Sequence, residues 1–325
     1  MPDLPIIGVI AAGVAGPIEG LKAGLTELGL LEGQNIRLEL RVANGDLSKL
    51  PAFAAELVDR NVELIAAIGA VTARALQKAT TVLPVIYCVV VDPVGDGLTA
   101  SLDKPGCNMT GVTTFHPDQA QTNVQLLRSV APGALRIAVL SDAGVSDCLV
   151  LANVQAIEAA GLRPLVLRIA GPQADLEHAF TTLDRAQTGG LIVLEHPINA
   201  VCGSRIAELA VARGLPTVFA RDQSHPGSLF SYGTSLRTAA HQMASYARRV
   251  LDGCRPEDLP VETFVRPELV VSLPTARKLG VVVPPEILND SATACAARHA
   301  EGEPTWPRTT WRPRIATSCG ERRND

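Results

Sequence analysis

Three aspartates stand at or just after the ends of predicted strands, where a carboxylate can meet a ligand. They are Asp92, Asp142 and Asp222. In open α/β sheets, ligands bind beyond the carboxyl ends of the strands. The three carboxylates therefore predict a site that can hold an ammonium group.

Predicted helix N-termini occupy the same kind of position. Gly69–Thr72 leads from a predicted strand into a helix, and Ala15–Gly16 precedes a helix that Pro17 opens. The first N–H groups of a helix have no partner within it, and the helix dipole is positive at that end, so both suit a carboxylate. Free amides and carboxylates together predict a zwitterionic or amine-bearing solute such as an amino acid.

The predicted ligand-binding set comes from loops and strand ends in both halves of the chain: Gly13, Val14, Gly69, Ala70, Val71, Thr72, Asp92, Pro93, Thr113, Asp142, Ser146, His196 and Asp222. Structural alternatives stay open. Asp92 can simply cap the turn that follows it. Asp222 can form a surface ion pair with Arg221. Gly69–Thr72 can be only a tight turn, and His196 an ordinary loop histidine.

The elements that must position these residues alternate in type. Short apolar runs, among them Ile6–Ile10 and the β-branched run Val85–Val91, alternate with segments of helical periodicity. Such runs are typical of strands buried on both faces in a parallel sheet. Because the alternation restarts after residue 116, we predict an α/β protein of two doubly wound, Rossmann-like lobes joined by a multi-strand hinge.

The predicted domain limits follow from this restart and from the late elements, which cross back between the lobes. Lobe one comprises residues 1–115 plus about 234–262, and lobe two residues 116–233 plus about 263–290. Residues 291–325 mix arginines and prolines without apolar periodicity, so a disordered tail is predicted there.

Composition narrows the functional classes. The 325 residues are 47% hydrophobic with a net charge of −4, which supports two cores and argues against a nucleic-acid partner. Apolar runs are no longer than a strand, so no membrane helix is predicted. The seven cysteines form no CxxC pair. No metal and no cofactor are predicted.

Two other functional classes remain as alternatives. A cofactor-independent racemase would use one thiol from each lobe, and Cys88 and Cys202 are the candidates. Cys88 lies inside a predicted strand, a poor place for a reactive thiolate. The ligand-sensing domain of a regulator is the second alternative, although no helix-turn-helix precedes Ile6. No enzymatic activity is expected.

A series of short motifs carries a family resemblance over about Ile6 to Pro285: Leu30–Asn35, Asp92–Pro93, Leu102–Gly106, Asn108–Val112, Ser231–Ser235, Asp258–Pro260 and Thr275–Gly280. With these motifs the chain resembles the periplasmic solute-binding components of ABC transporters, in the group that includes TrpX-like tryptophan-binding proteins. The resemblance implies a type I periplasmic-binding fold that captures a small solute by hinge closure and delivers it to a membrane permease. A monomer is expected.

The chain departs from this family pattern in three places, one of which is the tail from residue 291 onwards. Met1-Pro2-Asp3 lacks the basic start of an export signal. The resemblance implies a periplasmic protein, and the cytoplasm remains the alternative. Cys107 stands where the family usually has glycine.

Overall fold

The computed structural model describes residues 4–13, 16–116, 118–142, 145–169, 175–195, 197–220, 222, 225–290 and 293–295. The strands are β1 Ile6–Ala11, β2 Arg37–Val42, β3 Leu64–Ile68, β4 Val85–Val90, β5 Met109–Thr113, β6 Arg136–Asp142, β7 Arg163–Ile169, β8 Leu191–Val193, β9 Thr217–Ala220, β10 Phe230–Thr234, β11 Glu262–Thr263, β12 Pro267–Ser272 and β13 Thr293–Cys295.

The helices are α1 Gly16–Glu27, α2 Leu50–Asp59, α3 Ala70–Ala79, α4 Gln119–Val130, α5 Asp147–Ala159, α6 Leu176–Arg185, α7 Pro197–Ala212, α8 Leu236–Leu251, α9 Leu273–Leu279 and α10 Pro285–Asp290. Short 3₁₀ turns lie at Leu47–Lys49 and Pro256–Asp258. Among the described residues, no helix combines the length and the apolar character needed to cross a bilayer.

The first sheet is parallel throughout, with the strand order β11-β5-β4-β3-β1-β2. Its register pairs Ala11 with Ile68, and Ile68 with Cys88, so β1, β3 and β4 run level towards one edge. Strand β2 is the half-exposed edge that its alternating sequence predicts. The predicted doubly wound sheet is confirmed for this half.

The second sheet has the order β13-β12-β10-β9-β8-β6-β7. It is parallel except between β10 and β12. Strand β12 runs the opposite way because the chain enters it directly from the first sheet, through residues 264–266, and not through a crossover helix. The predicted second doubly wound sheet is therefore confirmed, with one antiparallel pairing, between β10 and β12.

Helices cover both faces of the sheets. On the first sheet, α1 and α8 pack on one face and α2 and α3 on the other, each with its own apolar cluster. Helices α1 and α8 approach closely because α1 carries Gly20 and Gly24 at the contact, where a Cβ atom would lie 2.1 and 2.5 Å from carbonyl oxygens of α8. On the second sheet, α6 and α7 pack against one face and α4, α5 and α9 against the other.

The chain passes between the two sheets three times: from β5 to α4, from β10 to α8, and from β11 to β12. Hydrogen bonds connect these crossings. The Phe264 N–H donates to the Thr113 carbonyl over 2.8 Å, and the Arg266 N–H donates to Thr234 Oγ1 over 3.0 Å. The predicted multi-strand hinge is therefore present as a bonded group of three segments.

The predicted tail lies mostly outside the described residues. Within it, Thr293–Cys295 pair with β12 as β13. Residues 296–325 are not among those that the structure describes.

Candidate ligand site between the two sheets

The carboxyl ends of the first sheet bring several predicted site residues to one edge. Gly13 follows β1, Gly69 follows β3, and Thr113 ends β5. Asp92 and Pro93 come two and three residues after the end of β4. The level register of these strands places all of them on the same side of the lobe.

The turn at Gly69–Thr72 is a constrained helix start. Gly69 has φ +101° and ψ 152°, a conformation that glycine alone adopts readily. Its N–H donates to the Cys88 carbonyl over 2.9 Å, and the buried Thr72 donates from Oγ1 to the Gly69 carbonyl over 2.6 Å. These bonds fix the turn from β3 into α3, so the helix begins directly at the carboxyl edge of the sheet.

The Asp92 side chain turns back onto its own loop. Its Oδ1 accepts a 2.8 Å hydrogen bond from the Gly95 N–H, and a Cβ at Gly95 would lie 2.1 Å from the other carboxylate oxygen. This is the capping arrangement that the sequence left open. A ligand contact by Asp92 or Pro93 stays a prediction.

The second sheet presents its own strand ends. Asp142 ends β6 and is buried, and Ser146 is the N-cap of α5 with its Oγ 3.1 Å from Cys148 Sγ. Leu140 pairs with Val193, so β8 ends beside β6. Two residues beyond β8 stands Glu195, a partly buried carboxylate that the sequence-based set does not include.

Glu195 interacts electrostatically with residues on both sides of the cleft, Asp222 and Cys88. Burial, together with the negative charge of Asp222, raises the pKa of the Glu195 carboxyl to about 8. Burial also raises the pKa of the Cys88 thiol in β4 well above its usual range, and Glu195 adds to that shift. Since Cys88 belongs to the first sheet and Glu195 to the second, side chains at the ends of β4 and β8 lie close enough to interact.

Asp222 lies between the lobes but is engaged by a helix. It is exposed, and its Oδ2 accepts hydrogen bonds from Ser235 Oγ at 2.8 Å and from the Arg237 N–H at 3.0 Å. The carboxylate therefore stabilises the N-terminus of α8. Whether Asp222 also meets solute stays a prediction; its suggested partner Arg221 lies outside the described residues.

Two further predicted residues, Val14 and His196, also lie outside the described residues. The Thr113 hydroxyl donates to the Val91 carbonyl over 3.0 Å and so closes the end of β5 against β4. Glu195 was missed because the predicted loop began one residue later. A signal was available, since Glu195 directly follows the apolar run Leu191–Leu194.

Val89 has a strained backbone conformation near the carboxyl end of β4. Its φ is +60°, in the left-handed region that a β-branched side chain disfavours, and the pairing of β4 with β5 shifts between Tyr87 and Val90. Strained backbone of this kind persists where the surrounding structure enforces it, and it clusters at ligand sites.

The thiol chemistry of the racemase alternative finds little support. Cys88 is fully buried, and burial also raises the pKa of Cys202. Both shifts disfavour the thiolate that would act as a base. Within the residues that the structure describes, no three histidine, cysteine, aspartate or glutamate side chains form a group able to hold a metal ion.

Known proteins resemble this chain in sequence and in fold. A family model described as ABC transporter substrate binding protein matches residues 10–295. A tyrosine-binding protein of Clostridioides difficile strain R20291 is 24% identical over 266 residues, which cover 80% of this chain and 75% of that protein.

Two solved structures superpose with a TM-score of 0.82, each covering 89% of this chain and 99% of its own. They are an ABC domain in complex with L-Trp from Streptococcus pneumoniae, 24% identical, and a conserved domain protein from Vibrio cholerae, 23% identical.

The two-sheet fold is that of the periplasmic binding proteins, as the resemblance implied. The chain belongs to the ABC transporter substrate-binding protein family, since the family model spans most of its length. It is the solute-binding component of an ABC transporter.

Proposed function

We propose that the protein captures an amine-bearing solute, an amino acid or a close relative of one, between its two lobes. The lobes close around the solute by rotation at the three crossings, and the closed form delivers it to a membrane permease. Capture is placed in the periplasm, as the resemblance implies. No covalent step is involved, and the protein acts as a monomer.

The observation that carries this proposal is the acidic edge of the second sheet. Glu195, Asp142 and Asp222 come from the ends of β8, β6 and β9. Burial and the charge of Asp222 raise the pKa of the Glu195 carboxyl to about 8, so at neutral pH this group keeps its proton unless a cation lies beside it. A bound ammonium group would offset both effects, so the site favours a cation.

The first sheet supplies the complementary half. The free amides at the start of α3, where Gly69 and Thr72 fix the turn, suit the carboxylate of a zwitterion. The named ligands of the relatives, tyrosine and tryptophan, contain both groups. We propose that the two lobes move as units and that the chain divides between them at about residues 115, 233 and 262.

A matched ligand series tests the proposal by isothermal titration calorimetry. L-Tyrosine has both charges, tyramine lacks the carboxylate, and 3-(4-hydroxyphenyl)propanoate lacks the amine. We expect the amine-free compound to bind worst. Affinity for the amine should rise up to about tenfold per pH unit between pH 6 and 7, because binding requires ionised Glu195.

Glu195→Gln should remove that pH dependence, while Glu208→Gln, an exposed exchange on α7, should keep it. If a panel of amino acids and amines fails to bind while sugars bind, the proposal is wrong. Cell fractionation distinguishes the periplasm from the cytoplasm.

A further inference from the structure

Leu47 packs against the apolar cores of both sheets. This partly buried side chain, in the 3₁₀ turn after β2, touches the first-sheet cluster that contains Leu50 and Leu57. It also touches the second-sheet cluster that contains Leu140 and Ile169. Leu47 therefore bridges the lobes away from the covalent crossings.

The loop that carries Leu47 is held in a defined shape. Asn44 and Gly45 both have positive φ, at +50° and +82°, and the Gly45 N–H donates to the Ala12 carbonyl over 2.7 Å. Asp46 caps the 3₁₀ turn by accepting 2.6 Å and 3.3 Å hydrogen bonds from Ser48 Oγ and N–H. These contacts fix where Leu47 stands relative to the first sheet.

Topology places this contact far from the crossings. The crossings leave from β5, β10 and β11, whereas β2, which leads into the Leu47 turn, is the opposite edge of the first sheet. Ile169 ends β7, the corresponding far edge of the second sheet. On the first-lobe side, the Leu47 contact therefore lies next to the sheet edge that is farthest from the crossings.

Distance from the hinge makes the contact sensitive to opening. Strand β2 lies four strand spacings from β5, roughly 19 Å. A rotation of about 15° moves that edge by about 5 Å. Apolar contacts require heavy atoms within about 4.5 Å, so a modest opening breaks this one.

We propose that Leu47 is a latch: it holds the closed form by packing against the second-sheet core, and it sets how slowly solute leaves. The proposal rests on the solute capture by lobe closure described above. A residue that only fills the first core would change the stability of the protein without changing the dissociation rate.

Stopped-flow release of L-tyrosine from the full chain tests the latch. Leu47→Ala should raise the dissociation rate constant by about fivefold to thirtyfold, because most of the apolar contact is lost. The association rate constant should change little, since solute enters the open form, in which the latch contact is broken; the ligand-free chain samples both the open and the closed form. The matched control is Leu135→Ala in the second lobe, where leucine is 78% exposed. An unchanged dissociation rate in Leu47→Ala overturns the latch.

Hydrogen–deuterium exchange separates this proposal from the function on which it rests. With saturating L-tyrosine, residues 43–49 and 165–169 should be protected in the wild type, and Leu47→Asp should lose protection in both segments while β3 keeps it. If L-tyrosine changes the exchange of no segment in the wild type, the proposed solute class is wrong. The latch is then tested by comparing exchange in the ligand-free variants. Faster exchange at 165–169 in Leu47→Asp than in Leu135→Asp then supports it, and equal exchange overturns it.

Discussion

The Asp222 carboxylate accepts a 2.8 Å hydrogen bond from Ser235 Oγ and so ties the loop after β9 to the start of α8. Because the same oxygen also accepts the Arg237 N–H, the negative charge sits on the positive end of the helix. The loop belongs to the second sheet, and α8 covers the first. The pair therefore contributes to the crossing from β10 to α8.

Asp222→Ala should lower the free energy of unfolding by about 1 kcal/mol, as expected for a lost N-terminal carboxylate. Chemical denaturation measures the change. Ser235→Ala and the double variant complete a mutant cycle, in which the two losses should be less than additive. Full additivity would mean that the two side chains act independently.

Glu195 should make the protein less stable as the pH rises. Its folded-state pKa of about 8 lies above the ordinary glutamate value of 4.5. The folded chain therefore binds more protons than the unfolded chain between those pH values, and stability falls across that window. Glu195→Gln should flatten the profile and gain on the order of 2–4 kcal/mol near pH 8. Melting temperatures of wild type, Glu195→Gln and Glu208→Gln between pH 5 and 9 measure this; parallel curves would contradict it.

Gly20→Ala should be strongly destabilising, by more than about 2 kcal/mol, because the new methyl group would collide with the backbone of α8. Gly16→Ala provides the control within the same helix. A Cβ there meets nothing within 4 Å, so it should be neutral or slightly stabilising. Equal melting temperatures for the two variants would show that the helices do not meet at Gly20.

Cys88 should resist alkylation in the folded protein. It is fully buried and its thiol pKa is raised, so the reactive thiolate is scarce at pH 8. Iodoacetamide labelling followed by peptide mass mapping should modify the partly exposed Cys148 first. Cys88 labelling as fast as Cys148 would restore the two-thiol alternative.

Much of the fold could be predicted because its elements repeat simple patterns. Continuous apolar strands and helical stripes are local signals, and they identified both sheets and their main helices. Strands β11 and β13 were not predicted, because segments of two or three residues are too short to show a periodic pattern. The positive φ of Val89 escaped as well, since a β-branched residue gives no local hint of it.

The site was less predictable because its details depend on tertiary contacts. Position at the strand ends could be inferred, and it placed Gly69 and Asp142 on the correct sheet edges. The contacts that each carboxylate makes could not be inferred from the sequence. Asp92 accepts a hydrogen bond from the Gly95 N–H, and Asp222 accepts one from the start of α8. These partners depend on which backbone amides lie nearby in the folded chain. Leu47 looks like any loop leucine until the far edges of the two sheets are brought together.

The late position of α8 in the chain has a consequence for biosynthesis. Ala239, Ala240, Met243, Ala244, Tyr246 and Ala247 from this helix complete one face of the first core. When the ribosome has released only the first 115 residues, α1 alone covers that face. The nascent first lobe must therefore keep part of its apolar core exposed, and accessible to chaperones, until Leu236–Leu251 has also been synthesised.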